Sequence, residues 1–238
     1  MANGGDKYTL LKSGTERVAG PVDLDATLQY VKDNFTAKGL PITSSVENRF
    51  IKVEAQSVKE FKDVAPTHWA YNVIKQLSSK KNVINGVSDD QFAPMQSVSR
   101  AQFTAMLVRG LGLKETVEMR FADVPSTYAY AKEISAAFKA GIIDGISESV
   151  FAPDQTIKRE EMAKMIVRGY EVKSGAKAKS SKAAAFNDFT AVSEWAKVYV
   201  NVSAELGLIQ GRQDGIFDPK GEANRAESAQ ILSNLLLK

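Results

Sequence analysis

The sequence predicts a mainly α-helical fold in which three helix–loop–helix repeats follow one another and pack into one body, behind a small N-terminal segment of α/β character. Three observations predict it. FKDVAPTHWA at 61–70 returns as FADVPSTYA at 121–129 and as FNDFTAVSEWA at 186–196, so the openings stand 60 and 65 residues apart. Gly86, Gly145 and Gly211 each precede a phenylalanine by six residues, and Phe92, Phe151 and Phe217 open FAP, FAP and FDP. Eight residues beyond each phenylalanine stands an arginine: Arg100 in SRAQ, Arg159 in KREE and Arg225 in NRAE. Self-similarity at a fixed period marks a repeat architecture, whose units bury their apolar faces only against each other.

Taken in order, residues 1–56 carry no copy of the repeat. There Asp23 or Asp25 suits the start of a helix through about Phe35, and RFIKVEA at 49–55 alternates like a strand. Each repeat reads as an extended F-x-D-V entry, a helix, a glycine-bearing turn, a short FxP segment and a second helix. The first repeat, 57–117, places its helices at 68–80 and 99–111; the second, 118–172, at 128–140 and 158–170; the third, 186–238, at 193–206 and 224–236. The second helices are amphipathic, with Phe103, Met106, Leu107 and Leu111 on one face and Met162, Met165, Ile166 and Tyr170 on another. KSGAKAKSSKAAA at 173–185 has no aromatic residue and reads as an exposed connector with solvated lysines.

Composition narrows the chemistry. The 238 residues are 44% hydrophobic and 25% charged, with 31 basic against 28 acidic residues, so no basic excess points to nucleic acid. No cysteine and a single histidine, His68, leave thiolate metal sites, disulfides and Cys–His or Ser–His catalysis without their residues. The acidic turn at Asp89–Asp90 lacks the spacing of a Ca²⁺ loop, and neither metal nor cofactor is expected. No stretch approaches the ~20 apolar residues of a membrane span, and MANGGDKYTLL lacks the basic head and apolar run of a secretory signal, as in a mature exported piece.

The repeated polar residues form the candidate site. Ser99 with Gln102, and Asn224 with Glu227, have capping-box spacing, which puts each arginine at a first helical position. Cations are disfavoured there by the helix dipole. Two readings are open: the arginine stem covers apolar surface or pairs with an acid of a neighbouring repeat, or the guanidinium and the free helix-start N–H groups jointly face an external anion. Asp63, Asp123 and Asp188 either cap turns or orient arginines and accept from sugar hydroxyls. Trp69, Trp195 and, at the place matched to them, Tyr128 are core residues or sugar platforms. Gly86, Gly145 and Gly211 supply positive φ in a turn, or let backbone N–H groups approach a ligand closely.

F-x-D-V, aromatic residue, turn glycine, FxP and a T-R-A-E-like ending, three times over 61–238, resemble the surface-layer homology (SLH) domains of bacterial cell-envelope proteins. SRAQ and NRAE match T-R-A-E best, whereas KREE has Lys158 in place of the capping hydroxyl. The resemblance implies a monomeric pseudo-threefold assembly with one helix per repeat in a central bundle and grooves between repeats. It implies an exported, non-enzymatic anchor that binds the secondary cell wall polysaccharide of Gram-positive peptidoglycan through pyruvate-ketal sugars. Arg100, Arg159 and Arg225 would take the carboxylate, with Asp123, Asp188 and Asp63 of the respective neighbouring repeats in the same grooves.

Two rivals have different requirements. A wall-glycan hydrolase needs two facing carboxylates, one of raised pKa, but here an arginine accompanies the repeated acids and lowers such a pKa. A protein-interaction or peptidoglycan-binding scaffold needs large apolar patches or indifference to pyruvate.

Overall fold

The computed structural model describes residues 59–79 and 83–237. The helix expected through Phe35 and the strand expected at 49–55 lie outside the described residues. Among the described residues six α-helices follow in chain order: α1 (Tyr71–Ser79), α2 (Arg100–Leu111), α3 (Ala131–Lys139), α4 (Arg159–Ser174), α5 (Glu194–Glu205) and α6 (Arg225–Leu236). Each repeat contributes two, as the sequence predicts. In the first two repeats the leading helix begins three residues later than expected, because the residues before it form hydrogen-bonded turns in which Tyr71 N–H reaches His68 O and Ala131 N–H reaches Tyr128 O. At the other end α4 runs on to Ser174 and stops at Gly175, whose φ of 69° is left-handed. The first two residues of the expected connector are thus helical.

The capping boxes form at Ser99 and Asn224. Ser99 Oγ accepts from Gln102 N–H and Gln102 Oε1 accepts from Ser99 N–H; Asn224 and Glu227 repeat the exchange. Lys158 has no acceptor on its side chain, and only half of the box survives there: Glu161 Oε2 accepts from Lys158 N–H at 2.9 Å, while Glu161 N–H turns to Lys158 O.

α2, α4 and α6 pack on one another in a central three-helix bundle, and each leading helix lies on the second helix of the preceding repeat: α3 on α2, α5 on α4, and α1 on α6. The last pairing joins the two ends of the repeat array and closes the ring. A repeat read along the chain is therefore not a packing unit; its two helices belong to different helix pairs. Phe103, Leu107, Met162, Ile166, Ala229 and Leu232 have no exposed surface at all, which makes the bundle one continuous core.

Below the bundle, the segments just before α2, α4 and α6 hold each other by backbone hydrogen bonds in a closed cycle. Val98 N–H donates to Ala223 O at 3.1 Å, Ile157 N–H to Val98 O at 2.9 Å, and Ala223 N–H to Ile157 O at 3.4 Å. The cycle fixes the pseudo-threefold axis. The connector, too, is tied down: Glu171 receives Lys177 and the Ala178 N–H, Glu205 receives Ser180 and Ser181, and Asn201 receives the Ala184 N–H.

Candidate functional site

The three arginines are buried, with 5%, 3% and 6% of Arg100, Arg159 and Arg225 exposed. Each lies over the FxP phenylalanine of the next repeat around the ring, its guanidinium carbon 4.8, 5.2 and 4.5 Å from the ring centres of Phe151, Phe217 and Phe92 respectively. Nε then donates to that phenylalanine's carbonyl, at 3.0, 2.7 and 2.7 Å. A second nitrogen, Nη2, donates to the carbonyl before the repeat's glycine: Asp144, Gln210 and Asn85. The arginine thus staples one repeat to the loop of the next.

The helix-start N–H groups expected to face an external anion are already satisfied. Those of Arg100, Arg159 and Arg225 donate to Gln155, Gly221 and Gln96 carbonyls, and those of Ala101, Glu160 and Ala226 donate to Pro153, Pro219 and Pro94 carbonyls. Neighbouring repeats fill the place that the sequence reading reserved for a ligand. What remains available for an anion at these helix starts is the guanidinium edge.

Asp63, Asp123 and Asp188 bond the N–H of the same phenylalanines whose carbonyls take Arg225, Arg100 and Arg159. Both carboxylate oxygens of Asp123 accept from Phe151 and Ala152 N–H, at 2.9 and 2.7 Å. Asp63 does the same for Phe92 and Ala93, and Asp188 for Phe217 and Asp218. Ala93, Ala152 and Asp218 adopt φ of 56°, 58° and 56°, a left-handed conformation that costs a non-glycine residue about 1 kcal/mol or more. Successive N–H groups in such a turn form an anion-binding concavity, and the chain's own aspartate occupies it.

The glycines correct a second expectation. Gly86, Gly145 and Gly211 are not among the glycines with positive φ. A methyl on Gly145 would lie 2.2 Å from Ser147 O, 2.5 Å from Val150 O and 2.7 Å from the Phe121 ring. Gly86 is as crowded, against Ser88 O, Gln91 O and Phe61, while Gly211 has 2.9 Å to Ile216 O and Phe186. The glycine is needed because the loop's own carbonyls, together with the F-x-D-V phenylalanine, leave no room for a Cβ.

Trp69 and Trp195 stand at groove rims, 59% and 47% exposed. A cavity of about 310 Å³ has Arg100 from the first repeat, Gly145 and Glu161 from the second and Trp195 from the third in its wall. A cavity of about 750 Å³ has Arg159, then Gly211 and Glu227, then Trp69. Both of these grooves therefore draw on all three repeats. Tyr128 does not join this set. Its backbone matches His68, not Trp69, since both donate N–H to the residue three earlier and accept from the first residue of the leading helix. The residue at the indole position of the second repeat is Ala129. Tyr128 instead donates its hydroxyl to Asp154 at 2.6 Å, and burial, with the Asp154 carboxylate beside it, pushes its pKa up.

Sequence reasoning missed several residues around the grooves. Glu161 Oε1 pairs with Arg100 Nη1 at 2.6 Å, and Glu227 Oε1 lies 3.6 Å from Arg159 Nη1. The fourth letter of the T-R-A-E-like motif is thus the partner of the previous repeat's arginine, a relation that spacing within one repeat cannot show. Lys164 and Arg168 both reach Asp144 Oδ2, and Lys164 Nζ lies 5.4 Å from the Trp195 ring centre. Burial raises the Asp144 pKa, but the two cations outweigh it and hold the carboxyl below its usual range. Arg212 grips Glu227 with Nε and Nη2 at 2.9 and 3.0 Å, and bonds Asp218 as well. Burial again raises the Glu227 pKa, and Arg212 with the Asn224 N–H brings it below the ordinary value.

The comparisons with known proteins agree with this architecture. The family model described as S-layer homology domain matches three times, at residues 60–104, 120–163 and 185–229. The chain is 41% identical over 181 residues to an amylopullulanase of Thermoanaerobacterium thermosulfurigenes, which covers 76% of the chain and 10% of that protein. It is 41% identical over 172 residues to an exoglucanase of Acetivibrio thermocellus, covering 72% of the chain and 16% of that protein. It is 28% identical over 194 residues to an S-layer protein of Bacillus anthracis, covering 81% of the chain and 22% of that protein. With three matches in register with three pairs of helices, the chain belongs to the S-layer homology domain family.

Proposed function

We propose that residues 57–238 are a non-covalent cell-wall anchoring module that binds secondary cell wall polysaccharide in grooves between repeats, with the carboxylate of a pyruvate-ketal sugar as the preferred group. The observation that carries this reading is the composite groove: an exposed indole at the rim, a buried guanidinium at the floor and a glycine-tight loop between them, each from a different repeat. An indole face suits the C–H face of a sugar ring, and a guanidinium edge suits a carboxylate. Several modest sites along one polymer make later binding steps intramolecular, which raises avidity by about 10²–10⁴.

A non-catalytic role is supported by the acids around the grooves. Asp144 and Glu227 are held below their ordinary pKa by cations, the opposite of the raised pKa a glycosidase acid needs. The relatives point the same way: the chain spans 10%, 16% and 22% of two proteins named as enzymes and one named as an S-layer protein. A segment common to all three suits attachment better than any one chemistry.

The test is co-sedimentation with purified cell walls of a Gram-positive bacterium, intact or stripped of secondary polysaccharide. Retention on intact walls and loss from stripped walls is expected. Equal retention on bare peptidoglycan would overturn the polysaccharide reading in favour of a peptidoglycan-binding scaffold.

A further inference from the structure

The three grooves differ in one respect that bears directly on an acidic ligand. Arg100 has a tight carboxylate partner in Glu161, and Arg159 has a looser one in Glu227, itself gripped by Arg212. By the same geometry the partner of Arg225 would come from position 102, and that residue is Gln102. Its amide oxygen receives Ser99 N–H at 3.0 Å, and being neutral it supplies no counter-charge to a guanidinium. Among the described residues Arg225 has no ion-pair partner, although it is 94% buried (6% exposed).

The free nitrogen can be located. Arg225 Nε and Nη2 donate to Phe92 O and Asn85 O at 2.7 and 2.5 Å, and Nη1 has no hydrogen-bond partner among the described residues. Every fully buried side-chain nitrogen and oxygen among the described residues does have a hydrogen-bond partner. Nη1 of Arg225 is therefore not fully buried, and among the described residues no carboxylate lies within ion-pair distance of it; Asp63, already saturated by the Phe92 and Ala93 N–H groups, acts on it only from further away. An uncompensated buried charge is unfavourable unless a counterion arrives.

We infer that the groove at Arg225 is the principal acid-reading site, and that Gln102 sets this by withholding the carboxylate that occupies the other two arginines. The inference rests on the glycan-binding reading above and says which groove reads the acid. The second repeat also differs at the indole position, where Ala129 stands. Two grooves thus offer an exposed indole with an ion-paired arginine, and the third site an arginine without an ion-pair partner among the described residues, with Ala129 at the indole position.

Isosteric exchanges test it. The probes are the methyl glycoside of a 4,6-pyruvate-ketal hexose and the same glycoside as its methyl ester, titrated calorimetrically into residues 1–238. The unsubstituted chain is expected to prefer acid over ester at one site. Gln102→Glu supplies an internal counterion and should lower acid affinity about ten- to a hundredfold while leaving ester binding unchanged. Glu161→Gln should create a second acid-preferring site at Arg100. Thermal melts accompany both, and Gln102→Glu is the decisive variant because it adds an ion pair and does not remove one. An unchanged acid preference in Gln102→Glu would overturn the inference. So would binding of acid and ester alike by the unsubstituted chain, which would leave glycan binding itself standing. Binding of neither glycoside would remove the reading beneath it.

Discussion

Glu161 holds Arg100 of the preceding repeat at 2.6 Å with one carboxylate oxygen while the other closes the start of its own helix on the Lys158 N–H. One side chain thereby ties helix capping to ring assembly. Arg100→Ala should cost about 3–5 kcal/mol, since it strips the partner from a part-buried carboxylate and frees two loop carbonyls. Arg100→Lys, which keeps the charge but not the fork, should recover less than half of that. Urea unfolding measures both. A loss below 1 kcal/mol for Arg100→Ala would contradict the staple role, and lost wall binding in that variant would not by itself report a ligand contact.

The glycines give a ranking. Gly145→Ala and Gly86→Ala force a methyl against two loop carbonyls and a phenyl ring, whereas Gly211→Ala has 2.9 Å to its nearest neighbours. The first two should destabilise by about 2–3 kcal/mol and the third by about 1. Equal costs in thermal melts would count against close packing as the reason for glycine.

At the FxP turn, Asp123 saturates two N–H groups. An amide has one acceptor oxygen where the carboxylate has two, so Asp123→Asn should cost about 1–3 kcal/mol. Ala152→Gly should be neutral or slightly stabilising because Ala152 has φ of 58°, whereas Ala152→Val should cost more than 1 kcal/mol. Asp123→Asn should also weaken only the groove of Arg100; equal weakening at all grooves would refute that local effect.

Much of this was legible in the sequence. The period, the six helices, two capping boxes and the place of each arginine follow from residue offsets and local chemistry. Local chemistry could not show that α1 closes on α6, or that Arg100 seeks Glu161, because those partners lie in other repeats. The aromatic register slipped for a simple reason: Phe61 and Trp69 are eight apart but Phe186 and Trp195 are nine, and that variable spacing let Tyr128 pass for the platform residue. The glycines misled because a turn and a crowded contact call for the same residue.

The pH response has a defined sign. Burial raises the Glu227 pKa, but Arg212, Asn224 and Arg159 take it below its ordinary 4.5 in the folded state. Between the folded and unfolded values the unfolded chain binds more protons, so this contribution is complete above the unfolded pKa and is lost as pH falls through the folded one. The melting temperature should drop as pH falls below about 4.5, and Glu227→Gln should lower it at pH 7 while flattening that drop. An unchanged slope would contradict the assignment.

Ring closure predicts cooperativity. Because α1 packs on α6, deleting residues 1–80 should expose the apolar face of α6 and abolish the single unfolding transition of the repeat array. Circular dichroism of that fragment should show a broad, non-cooperative melt; a sharp transition at the original temperature would show that the ends need not meet.

The most direct test of the account is calorimetric titration of the protein with purified secondary wall polysaccharide before and after mild chemical removal of its pyruvate. Tight binding to the pyruvylated polymer and a loss of tenfold or more after removal is the predicted result. Unchanged affinity for the depyruvylated polymer would contradict recognition of the carboxylate.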